Sequence, residues 1–193
     1  FCEAEYFLAL KEGKVVGRVA GIINNRANEK WGTKDVRFGW IDFIDDIEVS
    51  KALLKAVEDY GKEKGMDSIV GPLGFTDMDP EGMLTWGFDQ LGTMATSYNY
   101  DYYPKHMEKL GGWEKDNDYV EYRLDVPETA PEKYTKIAEM VEKRYNLHAR
   151  KLTKKDIFEG GYGKKLFDLI NVTYSHLYGF SELSERQIDQ YVK

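Results

Sequence analysis

The stretch that most constrains the fold runs from Val36 to Pro72, "VRFGWIDFIDDIEVSKALLKAVEDYGKEKGMDSIVGP". A β-rich run, Val36–Ile44, passes without a loop into a helical pattern over about Ile47–Lys64. Val49, Leu53, Ala56, Val57 and Tyr60 recur there at helical spacing and form one apolar face. Asp46 is placed as the N-cap and Gly65 as the residue that closes the helix in a left-handed conformation. A short strand, Ser68–Pro72, follows, so the helix is a crossover packed on a sheet. Strand-to-helix junctions of this kind often bind phosphate, using glycines and a basic residue. This one presents Asp45, Asp46 and Glu48.

The flanking sequence adds strands before the junction and helices after it. Glu5–Leu10 and Val15–Ile23 flank "KEGK", with Gly13 where a tight turn needs positive φ, and predict a hairpin. Asn24–Asp35 is polar and rich in breakers and is expected to be a loop, and Gly39 marks a bulge or a close approach. After a long acidic loop and the aromatic cluster "YNYDYYP", a short helix is expected over Pro104–Leu110 and a strand over Asp118–Val126. A helix over Pro131–Tyr145, a strand over Leu147–Leu152, a helical stretch to about Tyr178 broken by "EGGYG", and a helix capped by Ser184 and Gln187 complete the pattern. The fold class expected is α+β (mixed α/β), with a central, mostly antiparallel sheet and flanking helices.

Composition narrows the functions. The 193 residues carry a net charge of −7, and no Lys/Arg run is long enough to track a phosphate backbone, so no nucleic-acid partner is expected. Cys2 is the single cysteine, which excludes an internal disulfide and fits a reducing, cytoplasmic setting. No apolar run approaches the ~20 residues that span a bilayer, and no membrane partner is expected. The opening "FCEAEYFLAL" lacks a methionine and enters strand-like sequence at once, which suggests a piece of a longer protein without its first elements. "DMDPEG" (Asp77–Gly82) starts like an EF-hand loop, but its twelfth position is Phe88, and His106, His148 and His176 lack metal-ligand spacing. No metal is expected, and each histidine is read as structural or superficial.

The order of elements, with "LLKAVEDYGKEKGMDSIVGP" and "YYPKHMEKLGGW", resembles the GNAT superfamily of acyl-CoA N-acyltransferases over roughly Glu5–Val126. The resemblance implies acyl-CoA or acetyl-CoA as co-substrate. It also implies a bulged strand whose amides meet the pantetheine arm, and a loop whose amides hold pyrophosphate. Carried onto this chain, the cofactor-binding residues are Phe43, Ile44, Val49, Ser50 and Lys51. Asp45 and Glu48 fall where the family has a polar or basic residue and a glycine, and Met107 falls on the proton-donating tyrosine. The candidate catalytic residues are therefore Asp42, alone among apolar neighbours in "WIDFI", and Tyr98 and Tyr103, either able to replace the missing acid.

Residues 1–126 are read as a GNAT-like core lacking its first elements, 127–146 as a linker helix, and 147–193 as a strand-helix-helix segment resembling the start of a second unit. The segment either begins that second copy or completes the first sheet. Two functions follow: N-acyl transfer to the amine of a small molecule or peptide, or a non-catalytic binding module that has lost CoA. An aminoacyl donor on RNA is a third, opposed by the acidic balance. Self-association as a homodimer is left open.

Overall fold

The structure, a computed structural model, describes residues 2–94 and 96–193. It is an α+β fold whose four-stranded sheet has the order β1-β2-β3-β4. β1 (Cys2–Lys11), β2 (Lys14–Asn24) and β3 (Asp35–Phe43) are antiparallel, and β4 (Ser68–Val70) lies parallel to β3. The expected hairpin is present, with Glu12 and Gly13 at φ 51° and 76° in its two-residue turn. Between β2 and β3 the expected loop is instead a helix, α1 (Asn25–Trp31). Asn24 Oδ1 accepts the Ala27 N–H and Gly32 ends the helix at φ 69°, so residues that break longer elements here serve as caps.

α2 (Ile47–Glu63) crosses from β3 to β4 and buries Val49, Leu53, Leu54, Val57 and Tyr60. These pack with Val19, Ile23, Val36, Phe38 and Phe43 of the sheet into one core. The helix approaches closely because Gly61 has no side chain: a Cβ there would lie 2.5 Å from Val36 Cγ1.

β3 carries the feature that positions the site. Trp40 and Ile41 oppose the single residue Val19, since Arg18 pairs with Asp42 and Ala20 with Gly39. The bulge lies beside Gly39, with Trp40 at φ 46°, a region costly for a bulky side chain. Gly39 is the close approach, because a Cβ there would meet Leu73 O at 2.4 Å. Side chains alternate along a strand, so Val36, Phe38, residue 40 and Asp42 would all face the core. The extra residue shifts the count by one. Ile41 and Phe43 turn onto the core, and Asp42 is exposed.

β4 pairs with β3 only over Asp35–Arg37, and one further bond runs from Leu73 N to Phe38 O at 2.9 Å. No β4 pairing reaches the end of β3, since β4 stops at Val70. α3 (Tyr102–Leu110) follows the long loop and buries Tyr103 and His106.

Two compact units are present. The first runs to Asn117 and also includes Ile170–Leu183, where Phe180 and Leu183 are buried and Trp31 Nε1 donates to Phe180 O at 3.1 Å. The second comprises Asp118–Leu169 and Ser184–Lys193. Residues 147–193 are thus shared between the units. In the second lie α4 (Glu132–Tyr145), α5 (Lys154–Phe158), most of α6 (Tyr162–Thr173) and α7 (Glu185–Tyr191), the last capped by Ser184 and Gln187 as expected. The strands expected over Asp118–Val126 and Leu147–Leu152 are not formed. Alternation supplies a face, but a strand also needs a ladder partner; Tyr119, Tyr122, Leu124 and Val126 are exposed instead. Among the described residues no helix is long and apolar enough to cross a membrane.

Candidate functional site

The β3–α2 corner separates its two adjacent aspartates. Asp46 is the helix N-cap: Oδ1 accepts the Glu48 N–H at 3.0 Å and Oδ2 pairs with Lys11 Nζ at 2.7 Å. The Lys11 hydrogen bond, then the helix amide, lower its carboxyl below the ordinary range. Asp45 faces the other way, and its Oδ1 lies 2.9 Å from His106 Nε2.

His106 is 2% exposed and uses both ring nitrogens, with Nδ1 2.9 Å from Ser50 Oγ. Ionised Asp45 can only accept, which fixes a proton on Nε2. The buried Ser50 hydroxyl also faces Ile47 O at 3.0 Å and has one proton for two acceptors. With Nε2 facing Asp45, Nδ1 is the ring atom that accepts the Ser50 hydroxyl hydrogen bond, so both ring nitrogens are partnered.

Tyr103 and Tyr102 of α3 occupy the edge that β4 leaves. Ile44 N donates to Val16 O at 3.1 Å, toward β2, so the Phe43 amide points to the opposite edge. There Phe43 N donates to Tyr103 Oη at 3.2 Å, and Tyr102 O–H donates to Phe43 O at 2.6 Å. Tyr103 O–H in turn donates to Asp42 Oδ1 at 2.5 Å. Burial, then this bond, push the Tyr103 pKa well above its ordinary 10.0, so the phenol stays protonated at neutral pH. The Phe43 ring stacks on Tyr103 at 4.2 Å and on His106 at 5.4 Å, joining both polar pairs through one aromatic block.

The expected catalytic residues are thus divided. Asp42 and Tyr103 are bonded to each other. Tyr98 is exposed, donates to Phe88 O at 3.4 Å, and joins the site only through a ladder of rings, Tyr98–Tyr100–Tyr102–Tyr103.

Of the residues expected to meet a cofactor, Phe43, Val49 and Ser50 are buried, and Ile44 and Lys51 are exposed. Their backbone donors are already engaged: Ile44 N by Val16 O, and Val49 N and Ser50 N by Asp46 O at 3.0 and 3.3 Å. With Asp45 and Glu48 at its mouth, this corner does not suit a pyrophosphate. Met107 packs against the core. Asp79 of the EF-hand-like stretch accepts the Phe75 and Thr76 amides at 2.9 and 3.1 Å, and among the described residues no three His, Cys, Asp or Glu side chains are placed to hold a metal ion.

Sequence reasoning left His106 as structural or superficial and Asp45 only as a carboxylate at the position where the family has a polar or basic residue. Helical spacing puts Tyr102, Tyr103 and His106 on one face of α3 and was the available signal for the former. Nothing local marks Asp45 as the partner of a histidine 61 positions away.

No family model matches the chain, and no solved structure does. Two curated proteins are similar to it. Protein YghO of Escherichia coli (strain K12) is 34% identical over 105 residues, 54% of this chain and 27% of YghO. The bacterial ceramide synthase of Caulobacter vibrioides (strain NA1000 / CB15N) is 26% identical over 203 aligned positions, 99% of this chain and 49% of that protein. The chain spans about half the length of the second relative and less of the first.

Proposed function

We propose that the protein is a GNAT-like N-acyltransferase that joins an acyl donor to the amine of a long-chain amino lipid, and that the Asp42–Asp45 corner receives the amine. The observation that carries this reading is the pair of solvent-facing carboxylates, Asp42 and Asp45, held in place by Tyr103 and His106 where a nucleotide-binding corner would need glycines and cations. Such a corner repels pyrophosphate and attracts an ammonium group. Similarity along nearly the whole chain to a ceramide synthase supports an amide-forming reaction on a lipid amine, because a ceramide is the fatty amide of a long-chain amino alcohol.

The role of these residues is binding and proton transfer. An ammonium group at Asp42 gives up one proton to solvent and becomes a nucleophile. Its nitrogen forms a C–N bond to the donor's acyl carbon, the leaving group departs with its electron pair, and the second N–H proton passes to Asp42 and on to water. Tyr103, protonated throughout, fixes the Asp42 carboxylate that takes up that proton. A CoA donor brings its acyl carbon to this amine with its pyrophosphate held outside the corner, away from Asp45 and Glu48.

A non-catalytic binding module is the second reading, favoured by the Phe43 edge, whose N–H and C=O are both taken by tyrosines. Turnover separates the two. Full-length protein given a long-chain acyl-CoA and a long-chain amino alcohol is expected to release thiol and amide in equal amounts. Asp42→Asn is expected to lower kcat on the order of 10²-fold or more. Amine binding without amide formation favours the module, and neither binding nor amide overturns both.

A further inference from the structure

The long loop before α3 is closed at its neck. Leu84 N donates to Asn99 Oδ1 at 2.6 Å, Asn99 Nδ2 donates to Leu84 O at 3.1 Å, and Ser97 Oγ donates to Glu81 O at 3.2 Å. The segment is therefore an Ω-type loop with a fixed base. Beyond the neck it presents apolar side chains to solvent: Trp86 is 85% exposed, Leu91 99% and Met94 104%. Tyr98 and Tyr100, also exposed, carry the ring ladder from this neck to Tyr103 and Asp42. Residues 77–101 contain no Lys or Arg; they carry Asp77, Glu81 and Asp89, besides Asp79, which accepts the Phe75 and Thr76 amides, and Asp101, which is paired with Lys105.

We propose that this loop docks on a neutral or amine-bearing lipid surface, with Trp86, Leu91 and Met94 entering the interface while the neighbouring carboxylates select against anionic lipid. Fully exposed Trp, Leu and Met on one loop are costly in water and are the side chains an interface takes up. Basic residues draw a protein to anionic membranes, and an acidic loop is repelled from them. A surface bearing long-chain ammonium groups complements it. The amine part rests on the reading of the Asp42 corner as an amine site; the insertion part does not. The absence of a spanning helix among the described residues bears on crossing a membrane, not on lying against one.

The test uses full-length protein with vesicles of phosphatidylcholine, alone, doped with octadecylamine, or doped with phosphatidylglycerol. Co-sedimentation and the tryptophan emission maximum are read, with Trp86→Phe assigning the optical signal. The expected result is binding with a blue shift on neutral vesicles, stronger with octadecylamine and weaker with phosphatidylglycerol. The triple variant Trp86→Ser, Leu91→Ser, Met94→Ser, which leaves the core untouched, is expected to bind about tenfold less or weaker. Equal binding by the triple variant, no binding to any vesicle, or strongest binding to phosphatidylglycerol overturns the proposal. Because no turnover is read, failure here is distinct from failure of the acyltransfer reading.

Discussion

Replacing Tyr103 by Phe removes one oxygen from the centre of the site. The ring keeps its stacking on Phe43 at 4.2 Å, so the loss is almost entirely polar. That oxygen accepts the buried Phe43 N–H and donates to Asp42. A buried amide left without an acceptor costs about 1–3 kcal/mol. Asp42 is exposed and regains water, so its share is smaller, about 0.5 kcal/mol. The expected destabilisation is about 2 kcal/mol. Tyr102→Phe frees only the Phe43 carbonyl and should cost less. Urea unfolding with an unchanged m-value measures both. The pH dependence gives an independent check. Tyr103 has a raised pKa in the fold, so its contribution is fully present below pH 10.0 and is lost as pH rises through the higher native value. The stability gap between wild type and Tyr103→Phe should therefore narrow above pH 10.0. A variant within about 0.3 kcal/mol of wild type at pH 7, below the least cost of an orphaned amide, would refute the bonding scheme.

Gly39→Ala places a Cβ against Leu73 O, a backbone atom that cannot rotate away, and is expected to cost more than about 2 kcal/mol in the same unfolding measurement. His106→Phe keeps the ring stack but abandons Asp45 and Ser50; it should cost about 1–2 kcal/mol, against about 3–5 for His106→Ala, which also leaves a cavity. Asp46→Ala removes the α2 cap and the Lys11 partner. Because the Asp46 pKa is lowered in the fold, its contribution is present above pH 3.8 and lost as pH falls through the lower native value, so variant and wild type should converge in acid titrations followed by circular dichroism.

Local signals carried the sheet and its crossover. A two-residue turn at Glu12–Gly13, an apolar stripe on α2 and a capping aspartate each depend on neighbours within a few residues. The same logic failed at Asn24–Asp35, where Asn24 and Gly32 mark helix ends rather than a loop, because seven residues are too few to display a period. Asp42 was legible as an odd carboxylate in an apolar strand. Its direction is set by the Trp40–Ile41 bulge, which Gly39 marked in the sequence, because a bulge changes the face of every residue after it. Pairings across the fold were beyond reach as well: His106 with Asp45, and Phe180 and Ser181 with Trp31 and Asn24. Over Asp118–Val126 alternation was present without a neighbouring strand, and the segment stays irregular.

The central claim is that the β3–α2 corner is an amine site, and calorimetric titration of full-length protein with a soluble long-chain amine tests it most directly. Saturable, salt-sensitive binding without any acyl donor is expected, weakened several-fold or more in both Asp42→Asn and Asp45→Asn. Binding unchanged in both variants, or an amine that binds no better than its uncharged alcohol analogue, would contradict it.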